Sequence, residues 1–520
     1  MTNTPRHSCL QHVLDTLPEQ FQGPGGAVGI VKDGEVLTRQ TWGYVNLDEG
    51  RPFTAARRVP ICSISKQFTC GVLLDVVGDT ALLDDRLSDV LPHFESRLPT
   101  VADLCNMQSG LRDYWALTVL QGAHPEGVFR REDAGPLLAR MRTTHFEPGS
   151  SYSYSNGNFR ILSDLIEEYA DQPLGDLYRD RIFDPANMDS ALLSPDTSVR
   201  VDGTVGYEGN QRTGFFPAEN RIYWSGDAGI NASLNDMLAW EQHIDATRED
   251  PDSLYCRLSR PQTFRNGAAA PYGYGLAHGK VNGFAVTGHS GALRGFRLQR
   301  LHMAAHRLSV VVLFNHEADA HDAATRLMRA ALGDVTEPEA SNHVIDPTWA
   351  GHYLVEDSDH LLAVETNGQQ LEARYGTRAE RLRLTAAGIA QSSAMTLALD
   401  GDDLTLTRPG ENLATRATRV PDGVSEDLAG CYRSRELGAV LRIDRTGPAL
   451  YGCFEGLLGT GPMHSIRAVG RDVFALSCQR SMDAPAPGDW TIRIRRDAAG
   501  NNIGLVVGCW LARKITYERV

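Results

Sequence analysis

Apolar and polar positions alternate in two short runs near the start of the chain, residues 27–31 and 36–44, on either side of Lys32-Asp33-Gly34-Glu35. Alternation around an Asp-Gly turn predicts a β-hairpin. From Ile61 the spacing changes: Phe68, Val72, Leu73, Leu74 and Val77 recur on one face, after a polar Cys62-Ser63 entry and before Gly78. That period predicts a helix. Residues 84–92, 104–111 and 160–169 continue a mostly helical section, and strand signals return at 272–276, 283–288, 295–301 and 309–314, followed by a helix over 321–332. Strands at both ends with helices between them predict one antiparallel sheet built from both termini of a domain, with a helical subdomain inserted.

Beyond residue 332 the texture shifts. Residues 336–346 carry Pro, Glu, Ser and Asn and read as a linker, and the rest is short apolar alternation broken by Gly, Asp and Pro. The 188 residues after position 332 are therefore expected to be all β. Trp349-Ala350-Gly351-His352-Tyr353 and Leu428-Ala429-Gly430-Cys431-Tyr432 echo one another 79 residues apart, each opening an alternating run. Two related antiparallel β-barrels or sandwiches of about 80 to 90 residues fit that spacing, and a single larger β-domain is the alternative. The expected division is a mixed α/β (α+β) unit at 1–332, a barrel at 333–422 and a second barrel at 423–520.

Composition narrows the function classes. The chain has 520 residues, 42% hydrophobic and 22% charged, which is globular composition. A net charge of −14 argues against nucleic acid or an anionic membrane as a general partner. Residues 431–520 reverse the sign, with 13 Lys and Arg against 8 Asp and Glu, scattered rather than in runs, as expected of a domain packing on acidic neighbours. Residues 1–20 lack a basic stretch followed by an apolar one, and no apolar run approaches the ~20 residues of a membrane span, so a cytoplasmic location is expected. Nine cysteines without a C-x-x-C pair are expected to be reduced thiols. Among 16 histidines there is no H-E-x-x-H, and His302 with His306 reads as a surface pair in a turn before a strand, so neither a metal nor another cofactor is expected.

Chemistry concentrates in three places. Of the 51 basic residues only Lys32, Lys66, Lys280 and Lys514 are lysines, and one of them closes Ser63-Ile64-Ser65-Lys66 at the start of the predicted helix. Three residues along a helix put both side chains on one face, and the helix N-terminus favours a hydroxyl becoming an anion beside an amine able to take its proton. Tyr154-Ser155-Asn156 follows Phe146-Glu147-Pro148-Gly149 and offers a phenol as proton carrier and an amide as hydrogen-bond donor. Tyr44-Val45-Asn46 has the same pattern but reads as a strand end. His289-Ser290-Gly291 lies on a predicted strand, where Gly291 allows a substrate backbone to approach closely. Gly288-His289-Ser290-Gly291-Ala292 falls one glycine short of a nucleophile elbow, and Gly273-x-Gly275 lacks the context of a dinucleotide site.

The order S-x-x-K, Y-x-N, H-x-G resembles the penicillin-recognising serine hydrolases: class C β-lactamases, D-alanyl-D-alanine carboxypeptidases, family VIII esterases and D-aminopeptidases. Residues 104–114, Ile182-Phe183-Asp184-Pro185 and Gly226-Asp227-Ala228-Gly229 support the resemblance, which spans about residues 20–332. Histidine in place of the usual K-T-G lysine, and two added barrels, are similar to the D-aminopeptidases. The resemblance implies a β-lactamase-like catalytic domain and release of small N-terminal D-residues, such as D-Ala, from peptides, amides or esters. It further implies Ser63 as nucleophile, Lys66 and Tyr154 as a proton-accepting pair, His289 as an aid to leaving-group protonation and Asn156 as an orienting amide. The Ser63 and Ala292 N–H groups would make the oxyanion hole. A homodimer is the expected assembly.

An aminopeptidase needs a carboxylate for the substrate ammonium, and Asp483, in the proline-rich loop 481–488, is the expected one. Removing the barrels is expected to leave a folded hydrolase of altered specificity, and a bulky thiol reagent at Cys62 is expected to inhibit. A family VIII-type esterase or D,D-carboxypeptidase, and a non-catalytic scaffold, are the alternatives.

Overall fold

The computed structural model describes residues 4–333, 345–368, 370–478 and 480–520, and the side chains from residue 9 onward. The linker expected over 336–346 lies, up to residue 344, outside the described residues.

Strands β1 (Gly25–Lys32) and β2 (Glu35–Asn46) form the expected hairpin, with Asp33 and Gly34 at positive φ in its turn. Further along come β3 (Arg51–Pro52), β4 (Tyr272–Gly273), β5 (Leu276–Val281), β6 (Phe284–Leu293), β7 (Phe296–Met303) and β8 (Leu308–Phe314). They make one antiparallel sheet in the order β3-β2-β1-β8-β7-β6-β5-β4, so that the two ends of the domain meet at the β1–β8 pairing, Ile30 opposite Val310. Because alternate side chains face opposite sides, Val28, Ile30, Val310 and Val312 bury against helices α1 (Thr4–Gln20) and α6 (Ala320–Leu332). Ala27, Val31, Val311 and Leu313 face the other way, into the larger core around α2 (Ser65–Val76) and α5 (Leu234–Ala246). Between these lie α3 (Tyr114–Leu120) and α4 (Asn156–Ala170).

His302 corrects the surface-pair reading. It is a buried strand residue of β7, with Nδ1 at 2.9 Å from Ser309 Oγ, while His306 ends the turn that follows.

Both appended units are closed barrels of eight antiparallel strands, the second carrying a two-residue side strand, Gly459–Thr460, so closure removes the edges of the main rings. The first runs from Gly351–Val355 to Leu413–Arg419 and closes where Tyr353 pairs with Arg419. The second runs from Gly430–Ser434 to Ala512–Arg519, and a small hairpin, Arg480–Ser481 with Ala484–Pro485, leaves it between two of its strands. The sequence echo is a repeated closure device. Tyr353 donates to Trp349 O at 3.1 Å and Tyr432 to Leu428 O at 2.7 Å, while Arg419 and Arg519, from the last strand of each barrel, lie over those two rings.

The barrels join the rest differently. Tyr353, Leu362, Leu371, Leu397 and Leu406 form a core of the first barrel's own, whereas Tyr432, Leu441, Phe454, Trp490 and Tyr517 belong to one continuous core with the catalytic domain. The basic second barrel meets acidic partners: Arg480 pairs with Glu208, Arg493 with Asp359 and Arg513 with Glu411.

Candidate active site

The chain enters α2 through a tight turn, Cys62–Ile64, in which Cys62 takes φ +53° and Ser63 stands at the mouth of the helix. Strand β6 lies against this turn. A Cβ on Gly291 would sit 2.5 Å from Ile61 O, so that glycine serves the contact between strand and turn and not the approach of a substrate backbone, which corrects its assignment. The β5–β6 pairing stops at Gly288, leaving residues 289–293 beyond it free of β5 on that side.

Lys66 Nζ lies 3.0 Å from Ser63 Oγ, 2.8 Å from Asn156 Oδ1 and 2.6 Å from Asp227 O. Burial pulls the ammonium down to about 8, against the opposing pull of the Asp227 and Asp113 carboxylates. The Tyr154 phenol hydrogen-bonds Ser63, and burial holds it well above its ordinary value. Asn156 begins α4 and is itself fixed: its backbone N–H and Nδ2 both donate to Asp113 Oδ1, at 2.6 and 3.0 Å. Asp113 in turn caps α3 by accepting from Ala116 N. Asp227 accepts from Tyr114 OH and Trp115 Nε1 on Oδ2. Neither carboxylate was singled out from the sequence, although both fall in stretches that supported the resemblance.

His289 donates from Nδ1 to Ser290 O at 2.6 Å, which leaves Nε2 to accept from Tyr272 OH at 2.9 Å. Burial and the nearby Lys66 push the imidazole down to about 3, so it is neutral at ordinary pH and has no proton to spare for a leaving group. Ser290 Oγ donates to Gln299 Oε1, away from any base.

These groups open on a cavity of about 340 Å³ lined by Ser63, Tyr154, Asn156, His289 and Ala292. Aromatic side chains of Trp115, Tyr152 and Trp224 form part of its wall. Both barrels contribute to the rim, Thr377 from the first and Ala484, Pro485, Ala486 and Leu511 from the second. Asp483 is the exception. Its carboxylate accepts from Arg221 N at 2.6 Å and Thr197 Oγ1 at 3.4 Å, and its carbonyl from Arg294 N, so it pins the hairpin from behind instead of facing the cavity. Cys62 is fully buried with its thiol pushed up by desolvation, which makes it a slow target for thiol reagents. Among the described residues no cluster suits a metal ion, and no helix is long and apolar enough to cross a membrane.

Residues 10–334 match the beta-lactamase family model and residues 342–518 the model for D-aminopeptidase, domain B. A D-aminopeptidase of Cereibacter sphaeroides is 53% identical over 98% of this chain and 99% of its own length. The chain belongs to the D-aminopeptidases of the beta-lactamase family. A second D-aminopeptidase, from Brucella anthropi, is 51% identical over 99% of this chain and 98% of its own. The fold is shared more widely: a D-amino acid amidase from Ochrobactrum anthropi, 18% identical, covers 62% of this chain and 98% of its own with a TM-score of 0.52. An octameric penicillin-binding protein homologue from Pyrococcus abyssi, also 18% identical, gives 0.54 over 79% of this chain and 99% of its own.

Proposed function

We propose that this protein is a serine aminopeptidase that releases small N-terminal D-residues from peptides, amides and esters through an acyl-enzyme on Ser63. The kinship with D-aminopeptidases over nearly the whole chain supports the activity, and the observation that carries the mechanism is the 3.0 Å contact between Ser63 Oγ and a buried Lys66. An ammonium brought down to about 8 gives up its proton readily near neutrality, whereas the Tyr154 phenol, held well above its ordinary value, keeps its own. These directions favour Lys66 as the base that takes the Ser63 proton. Tyr154, hydrogen-bonded to Ser63, then passes a proton to the leaving amine and recovers it through Lys66. The N–H groups of Ser63 and Ala292 would hold the oxyanion, and water would resolve the ester. His289, neutral and bonded to Tyr272, acts as an apolar-compatible wall without a fixed positive charge. That disfavours a carboxypeptidase, which must hold a substrate carboxylate.

The test compares D- and L-alaninamide, with Ser63→Ala as control. Hydrolysis of the D-amide alone, lost by about a thousandfold or more in Ser63→Ala, is expected. Equal rates on the two enantiomers, or an unaffected variant, would overturn the reading. With an ester lacking an amine, kcat/KM should rise with pH to a plateau with a midpoint near 8 as Lys66 sheds its proton.

A further inference from the structure

An enzyme that takes free-amine substrates must place an ammonium beside the scissile carbonyl, inside a cavity whose walls exclude much of the water. Such a charge needs a counter-charge within the walls. Asp483 does not supply it, because it does not line this cavity and its Oδ2 is turned to Arg221 N and Thr197 on the far side of the hairpin. Among the described residues lining the cavity, one carries a carboxylate: Asp113.

Its surroundings suit a cationic guest. The backbone N–H donates to Leu511 O of the second barrel, Oδ1 accepts two donors from Asn156, and Oδ2 accepts Ala116 N at 3.2 Å. A carboxylate oxygen has two acceptor positions, so Oδ2 retains capacity for another donor. The neighbouring Arg112 does not neutralise it, since that guanidinium is engaged with Glu436, Thr143 and Arg513 O. The aromatic side chains of Trp115, Tyr152 and Trp224 share the cavity wall, and ring faces attract cations.

We propose that Asp113 is the binding site for the substrate's α-ammonium and so the residue that selects free-amine substrates; this rests on the aminopeptidase reading above. Asn156 bridges Asp113 and Lys66, Nδ2 to the one at 3.0 Å and Oδ1 to the other at 2.8 Å. An ammonium held at Asp113 is thus one side chain from Lys66. Repulsion between the two cations favours the neutral, proton-accepting form of Lys66 when such a substrate is in place.

The experiment uses two p-nitrophenyl esters that differ by the ammonium alone, D-alanyl and propionyl, on the full-length wild type, Asp113→Asn and Asp113→Ser. Serine keeps a helix cap at this position without a charge, and thermal unfolding checks that each variant is folded. The readout is the ratio of kcat/KM for the two esters. In the wild type this ratio should exceed one, and in the variants it should fall by about tenfold or more, whatever loss the two esters share through Asn156 cancelling in the ratio. An unchanged ratio overturns the proposal, as does an equal fall on both esters, which would make Asp113 only a support for Asn156. Failure of the aminopeptidase reading looks different: the wild type itself would then show no preference for the D-alanyl ester. Should neither variant fold, inhibition of the wild-type propionyl esterase by D-alaninol against isopropanol decides. Stronger inhibition by the amine supports the site, and equal inhibition overturns it.

Discussion

The first barrel keeps its apolar side chains to itself, around Tyr353, Leu362 and Leu406, whereas those of the second run on without a break into the core that holds α2 and α3. Polar contacts repeat the contrast. Gln121, fully buried at the end of α3, donates to Leu437 O and accepts Leu457 N, and its carbonyl accepts Leu458 N, all from the second barrel. The buried Arg112 reaches Glu436 in the same barrel. The first barrel docks instead through polar contacts, Arg378 with Asp319, Asp359 with Arg493 and a hub at Glu411, whose carboxylate accepts from Arg408, Tyr375, Trp510 and Arg513 and whose carbonyl accepts from Ser151 and Tyr152. Two units of one closure plan have therefore taken different jobs: the second is part of the catalytic domain's core, and the first is a brace held at a polar joint. Removing the second barrel would expose the apolar underside of α3, so the shared core weighs against the expectation that a folded hydrolase remains once the barrels are gone, and truncation decides between the two.

The largest test is truncation before residue 423, which should abolish soluble, cooperatively unfolding protein. A well-folded truncated hydrolase would break the contrast outright. Next, Arg112→Met removes a buried guanidinium that joins Glu436, Thr143 O and Arg513 O, leaving Glu436 partly buried with Thr143 Oγ1, and should cost about 3–5 kcal/mol in urea unfolding. A loss under about 1 kcal/mol would show the second interface to be as soft as a surface ion pair. Glu411→Gln, at the first barrel's joint, should cost about 1–3 kcal/mol and lower kcat/KM several-fold through Tyr152, leaving the reaction's stereochemistry intact. The smallest effects belong to the rim. Ala486→Leu should change stability by no more than about 0.5 kcal/mol yet reduce kcat/KM for D-phenylalaninamide more than for D-alaninamide. Thr377→Val, the first barrel's counterpart at the rim, should shift neither value by more than about twofold; a larger effect there would make the first barrel a specificity element too.

Much of this was legible along the chain. Ser63 and Lys66 meet because three residues of helix bring them together, and no distant contact is needed for that. The hairpin, the helices and even the barrel echo rest on local alternation and on a tyrosine that bonds four residues back along its own chain. Where the sequence reading went astray, the deciding partner was remote. Asp483 is turned from the cavity by the backbone N–H of Arg221, 262 residues away. Asp113, which faces it, is fixed by Asn156, 43 positions on, and by Leu511 in the second barrel. Gly291 is glycine on account of Ile61.

By itself, then, the sequence determined the meeting of Ser63 with Lys66, the antiparallel sheet closed from both ends and the two β units, since periodicity and short spacings act through torsion angles and neighbouring turns. Only the tertiary structure decided which carboxylate lines the cavity, which barrel belongs to the core and which glycine serves packing. Those outcomes depend on long-range contacts, and a carboxylate's role is set by the donors that fold onto it.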